Sequence, residues 1–295
     1  MRMNLTNKQE GHQRRNRIIS NTITYVILVI ISIIWIFPFV YLILQSFRGE
    51  STGVVGYLIP EEWTFDNYIA LFNFNDTYPF IKWYLTTLMI AVITCVIQTV
   101  LVLMVSYALS RMRFKGRQGI MKMILVIGMF PGFLSLIAIY YVLKQVNMIG
   151  NPFGLVLVYI AGSAMSYYVV KGFFDTIPKS LDEAAMIEGA TRNTIFWKVI
   201  LPLSKPIVIY TILTSFVAPW GDFMMSSYLL GTSPDNWTVA VGLQNWLTGN
   251  NGQNLTLYFT RFCAGAVFTS IPIVIFFFCL QRYYVEGVTG GAVKG

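Results

Sequence analysis

Few side chains in this 295-residue sequence can do chemistry, and they are unevenly placed. The single histidine, His12, lies in a polar N-terminal stretch. A histidine-based metal site or a Ser-His-Asp triad would lack its other members, which removes most hydrolase chemistry. Cys95, Cys263 and Cys279 fall inside apolar runs, where cysteine packs as a small apolar residue, so no disulfide framework is expected. The chain has no G-x-x-x-x-G-K-[ST] phosphate loop, so nucleotide chemistry would have to belong to another polypeptide. We therefore assign no catalytic, cofactor-binding or metal-ligating residue. The carboxylates are the scarce charges, 13 against 21 lysines and arginines. Asp182, Glu183 and Glu188 lie together in one polar segment, while Asp222 sits alone in an apolar run beside Pro219.

The elements that carry these residues follow from composition. Apolar types make up 56% of the chain, aromatics 16% and charged residues 12%, against roughly 25% charged in an average soluble domain. So few charges cannot cover a soluble surface, and the excess must lie in runs that cross hydrocarbon as helices. Six runs qualify: Ile18–Leu44, Tyr84–Leu109, Met121–Leu143, Phe153–Val170, Ile207–Leu230 and Phe262–Leu280. The first is too long for a cleaved signal peptide and lacks a small-residue cleavage site, so it reads as a retained span. The fourth carries Gly162, Ser163 and Ser166, which favour close helix packing inside a bundle. Pro131 and the stretch Ala218–Asp222 should break the third and fifth runs. With both termini inside, 17 of the 21 basic residues face the cytoplasm, so the net charge of +8 is an orientation signal and not a nucleic-acid footprint.

The expected protein is an all-α integral membrane chain with six transmembrane helices and cytoplasmic termini. Its parts are a basic tail (1–17), a first span (18–45), an outer loop (46–83), a core of five spans (84–282) holding an inner loop (171–206), and a C-terminal tail (283–295). Polar residues within the runs, Gln98, Ser106, Ser135, Ser163, Ser166, Tyr167, Tyr168, Ser215 and Asp222, are candidates for a pathway. Serine in such runs more often bonds helix carbonyls, and Asp222 could cap backbone N–H groups freed at the Pro219 break.

The inner loop is the most informative segment. Pro178 should end the preceding helix, and Ser180 with Glu183 reads as an S-x-x-E capping box opening a short helix. Gly189 stands where that helix would end in the left-handed conformation. A second short helix should present Ile195, Phe196, Val199 and Ile200 on one face and stop at Pro202. Local physics leaves two readings open: an amphipathic hairpin packed on the bundle's own underside, or a docking surface for another protein.

The spacing Glu183-Ala184-Ala185, three residues, Gly189, nine residues, Val199-Ile200-Leu201-Pro202 resembles the EAA loop of ABC-importer permeases. Val199 departs from that pattern only by standing where isoleucine is preferred. Four further segments resemble carbohydrate-type members of the family: Glu62–Phe72, Ser106–Arg117, Trp237–Leu247 and Gln281–Gly295. The last two are similar to the smaller permease subunit of maltose/maltodextrin importers.

The resemblance implies the type I importer transmembrane fold in a bacterial cytoplasmic (inner) membrane. It implies that Glu183, Ala184, Ala185, Gly189, Leu201 and Pro202 dock on a homodimeric ABC ATPase, which would bind the ATP and Mg that this chain does not. Gly290, Gly291 and Lys294 would contact the ATPase through the tail, although four glycines in Gly287–Gly295 read by composition alone as a flexible end. Gly249, Asn250, Asn251, Gly252, Gln253 and Asn254, a polar turn cluster by composition, would probe an extracytoplasmic sugar-binding protein. A second permease subunit would complete the pathway and supply the sugar site. The substrate would be a maltodextrin or a related oligosaccharide; permeases for raffinose-type sugars, galacto-oligosaccharides and glycerol phosphate share most of the pattern. The competing reading, a self-sufficient secondary transporter, would want ion-coupling charges deep in the spans, and this chain has almost none. A membrane-embedded enzyme would want a clustered metal or acid–base set.

Overall fold

The computed structural model describes residues 2–49, 57–73, 79–130, 132–231, 233–249 and 253–292. In chain order the helices are α1 (Arg2–Ser46), α2 (Asp66–Leu71), α3 (Phe80–Arg111), α4 (Arg117–Gly128), α5 (Gly132–Gln145), α6 (Pro152–Ala161), α7 (Ala164–Thr176) and α8 (Ser180–Ile187). There follow α9 (Arg192–Ile195), a π-helical turn (Phe196–Ile200), α10 (Leu201–Leu203), α11 (Lys205–Gly221), α12 (Met224–Leu230), α13 (Val239–Thr248) and α14 (Gln253–Ala292).

Among the described residues, three helical stretches are long and apolar enough to cross a bilayer: Arg17–Ser46, Phe80–Arg111 and Tyr258–Gln281. Two more arise if bent pairs each count as one crossing: α6 with α7, bent by 42°, and the segment Arg192–Leu203 with α11, bent by 86°. The third expected run, Met121–Leu143, is not one helix. It is divided between α4 and α5, leaving Leu134–Gln145 as a shorter apolar helix. The break has the cause read from the sequence, because a proline removes an N–H donor and turns the residue before it away from helix; Pro131 itself lies outside the described residues.

The fifth expected run is also divided. Pro219 stays within α11, and the chain breaks at Asp222, after which α12 begins. Asp222 Oδ1 accepts from the backbone N–H of Met225 at 3.0 Å, and Oδ2 accepts from the Tyr159 hydroxyl at 2.7 Å. The carboxylate therefore caps the restarted helix, as its position suggested.

Helix α3 organises the core. Phe80, Trp83, Thr87, Ile90, Ala91, Thr94 and Cys95 are buried along one seam that repeats every three or four residues. Along its length α3 packs against α11, α7, α6 and α13. Around its first turns gathers one apolar cluster, including Trp83, Leu155, Trp220, Leu229, Val239 and Trp246. Around its last turns gathers a second, made of Val102, Leu103, Tyr107, Val170, Phe174, Ile195, Phe196, Ile200 and Ile207.

In contrast, Ile18 to Phe39 of α1 are exposed all round. A helix apolar on every face needs an apolar surrounding. Only its C-terminal end is tied in: Arg48 is buried and donates to Gln45 Oε1 and the Tyr57 carbonyl. Asn67 of α2 donates to the Ser46 and Arg48 carbonyls and accepts from Thr260 of α14.

Candidate coupling site

The segment Ile177–Pro206 is a short exposed helix, a glycine turn and a second helix folded under the Tyr107 cluster. Two local expectations need correction. Ser180 does not cap α8. The position before the helix is Lys179, already in the right-handed helical region, with no side-chain capping bond. Pro178 fixes its own φ near the helical value, so the first turn begins there, with the Leu181 N–H on the Pro178 carbonyl and the Glu183 N–H on the Lys179 carbonyl. Ser180 then lies inside the helix, where its hydroxyl cannot take the cap geometry, and the Ser180–Glu183 box is not formed.

Nor does Pro202 stop the second helix. The chain stays helical through Leu203 and turns at Ser204. The π turn at Phe196–Ile200 ends two positions before the proline. Its wider turn removes the clash between a proline ring and the carbonyl four residues back.

The glycine turn forms as expected. Gly189 has φ of +84°. Its N–H bonds the Met186 carbonyl at 3.0 Å, and the Ala190 N–H bonds the Ala185 carbonyl at 2.9 Å. This pair of bonds is the Schellman closure, which satisfies carbonyls left open at the end of α8. The next helix opens on Thr191, whose hydroxyl accepts from the Thr194 N–H at 3.2 Å.

The assembled surface divides the predicted residues. Glu183, Ala184 and Gly189 are exposed, and Ala185 is half-buried against the Tyr107 cluster. Leu201 is half-buried in the same cluster, while Pro202 is exposed. Met186 and Ile187 add unexpected apolar surface, Ile187 being 87% exposed. The result is a small, flat, mixed patch held on a rigid turn.

Two residues that sequence spacing did not single out for this site hold the patch from behind. Arg111 ends α3, and its side chain is only 2% exposed. Its Nη2 donates to the Phe174 and Ile177 carbonyls, both at 2.8 Å, at the end of α7. Its Nη1 lies 3.4 Å from Asp182 Oδ2 in the first turn of α8. Nearby, Ser110 donates to Asp175 Oδ1 at 2.6 Å, Lys171 pairs with Asp175, and the Tyr107 hydroxyl donates to the Arg192 carbonyl at 3.1 Å. The only sequence signal was an arginine at a helix end and an aspartate beside Glu183; 70 intervening residues concealed their pairing.

The other predicted residues are placed differently. Gly249 ends α13, its N–H on the Asn245 carbonyl at 2.8 Å. Asn250, Asn251 and Gly252 lie outside the described residues. Gln253 and Asn254 belong to the first turn of α14 and not to a loop. Their backbone extends the long sixth apolar helix, and growing an existing helix costs far less than nucleating one. The same reasoning applies to Gly290 and Gly291, expected in a flexible tail and found in α14, which continues to Ala292; Lys294 lies outside the described residues.

The polar residues of the apolar helices are mostly engaged within the bundle. Gln98 Nε2 donates to the Tyr159 carbonyl and Ser163 Oγ, Ser106 donates to the Tyr167 carbonyl, and Ser215 donates to the Thr211 carbonyl.

Comparison with known proteins places this geometry. Residues 103–290 match the family described as binding-protein-dependent transport system inner membrane component. The chain belongs to that family. The permease is 36% identical to the galactooligosaccharides transport system permease protein GanQ of Bacillus subtilis (strain 168), over 92% of this chain and 95% of that one. It is 36% identical to the maltodextrin transport system permease protein MalD of Streptococcus pneumoniae (strain ATCC BAA-255 / R6), over 95% and 97%. In fold it is similar to a chain of a bacterial ABC transporter involved in import of the acidic polysaccharide alginate, with a TM-score of 0.75 at 23% identity, covering 90% of this chain and 96% of that one. The permease is thus an inner-membrane transport component with an ABC-importer fold.

Proposed function

We propose that this permease is the smaller of two membrane subunits of an ATP-driven sugar importer, passing an oligosaccharide from an external binding protein to the cytoplasm. The observation that carries the reading is the exposed α8 patch of Glu183, Ala184, Met186 and Ile187, set on the Schellman turn at Gly189 and backed by the Tyr107 cluster. A rigid lever of this kind converts closure of a cytosolic dimer into movement of helices. In this arrangement the lever docks through Glu183, Ala184, Ala185 and Gly189 on a homodimeric ABC ATPase, which binds ATP and Mg and hydrolyses the nucleotide. Leu201 and Pro202 complete the far side of the same segment.

The six-span arrangement belongs to this proposal. The three straight crossings, the two bent ones and a broken third run make six, with both termini cytoplasmic. The near-perpendicular turn between Arg192–Leu203 and α11 suits a segment lying along the cytoplasmic face. Gly290, Gly291 and Lys294 then reach the ATPase from the end of α14, and Gly249–Asn254 faces the external sugar-binding protein. The relatives' substrates, a galactooligosaccharide and a maltodextrin, favour an oligosaccharide as cargo. A self-sufficient secondary transporter is disfavoured because Asp222, the one carboxylate in the apolar runs, already serves as cap and tyrosine partner.

Glu183→Ala tests the reading with assembly and uptake measured apart. The docking role predicts that less ATPase co-purifies with the permease and that sugar uptake falls. If neither association nor uptake changes, the role is wrong. Binding of labelled maltodextrins and galacto-oligosaccharides to the partner binding protein identifies the cargo.

A further inference from the structure

The first turn of α8 presents two adjacent carboxylates in different directions, since neighbouring helical residues stand about 100° apart around the axis. Glu183 is exposed and Asp182 is buried. What Asp182 meets is Arg111, 71 residues earlier, its side chain also withdrawn from solvent. The guanidinium joins three elements: it is the last residue of α3, it bonds the two carbonyls that close α7, and it pairs with the first turn of α8. A planar fork of five donors can do this, and a lysine's single ammonium cannot reach the same set in the same geometry.

We propose that Arg111 and Asp182 are positioning residues that transmit movement of α8 into α3, the helix on which the rest of the core is packed. This inference rests on the reading of α8 as the ATPase-docking lever. Without the pair, α8 is joined to the bundle through the Pro178–Lys179 linker, the Gly189 turn into α9 and the contact of Ala185 with the Tyr107 cluster. With it, α8, the end of α7 and the end of α3 share one charged pivot.

The pivot's chemistry suits a moving part better than a static brace. Asp182 Oδ1 is buried without a hydrogen-bond partner among the described residues, so the carboxylate is held through one oxygen only. A buried ion pair with an open acceptor adds little net stability against an apolar replacement, and its better-attested use is to fix register between elements. Tyr107 and Ser110, within the last two turns of α3, bond to the Arg192 carbonyl and to Asp175 of α7, so together with the Arg111–Asp182 pair the end of α3 meets α7 and both halves of the segment that the ATPase would push. Along α3 the same helix runs to Trp83 and the far cluster.

The test uses the assembled transporter in lipid nanodiscs, comparing wild type, Asp182→Asn and Arg111→Lys. Three quantities are read: the amount of ATPase retained on the permease, the rate of ATP hydrolysis, and sugar moved per ATP hydrolysed. Asp182→Asn keeps the volume and removes the charge; Arg111→Lys keeps the charge and removes the fork. The expected result is complex yield close to wild type with sugar per ATP reduced by about tenfold in both variants, within the usual range of coupling factors between linked sites. Hydrolysis should persist, because the docking patch itself is untouched. Unchanged sugar per ATP in both variants overturns the proposal. So does a loss of uptake that merely tracks loss of assembled complex in both, since the pair would then support folding alone. Failure of the underlying reading looks different: wild-type permease itself would retain no ATPase.

Discussion

Gly189→Ala isolates the contribution of one backbone angle to the docking lever. At φ of +84°, Gly189 occupies the left-handed region, and a Cβ built there would meet nothing within 4 Å. Steric contact with neighbours is therefore absent, and the penalty is purely conformational, about 1–2 kcal/mol for an L side chain. Alanine also narrows the unfolded chain's freedom, which returns about 0.4–1 kcal/mol. The net cost is about 1 kcal/mol, roughly a fivefold fall in the population of the closed turn. The assay is amide hydrogen exchange on the purified permease in detergent. The reporter is the Ala190 N–H, bonded to the Ala185 carbonyl at 2.9 Å. In the alanine variant it should exchange about fivefold faster, whereas Gly189→Asn should fall between alanine and wild type because asparagine tolerates this region. Equal exchange in all three proteins would refute the reasoning. So would an asparagine variant worse than alanine, because size and not backbone angle would then decide the outcome.

Two further outcomes follow from the same geometry. Thr191→Ala removes an actual cap from the second inner helix and should lower its local stability by about 1 kcal/mol, whereas Glu183→Ala removes none and should leave the exchange of α8 unchanged; hydrogen exchange of the two segments compares them directly. Gly242→Ala should destabilise the opposite end of the core, because a Cβ at that position would overlap the ring of Trp83. Trp83 is fully buried, holds the Pro234 carbonyl through Nε1 at 3.2 Å, and packs on Trp237 and Trp246. An overpacked site of this kind costs on the order of 1–3 kcal/mol, seen as a lower unfolding temperature of the detergent-solubilised permease.

Several features were legible before any coordinates because they depend on neighbours in the chain. The left-handed angle at Gly189 follows from a glycine at a helix end. The break near Pro131 follows from a proline that removes a backbone donor, and the cap at Asp222 from a carboxylate placed just before a restarting helix. The two misread details in the inner loop failed for a shared reason: Ser180 and Pro202 were judged by local preference alone. Pro178 had already begun the helix before Ser180, and the π turn had already made room for Pro202. Gln253, Asn254, Gly290 and Gly291 read as loop or tail by composition, yet each adjoins a long apolar helix that extends over them.

By itself, the sequence determined that the chain must reside in a membrane, and it determined where the short exposed helix begins its glycine turn. Both are properties of composition and of a few adjacent residues. Only the tertiary structure decided which side of each uniformly apolar helix is buried, because a seam such as Phe80–Trp83–Thr87–Ile90 has no polar face opposite it to mark it out. It alone decided that Arg111 meets Asp182. Charge pairing acts through space, and what brings those two groups within 3.4 Å is the apolar packing of the last turns of α3 against α7.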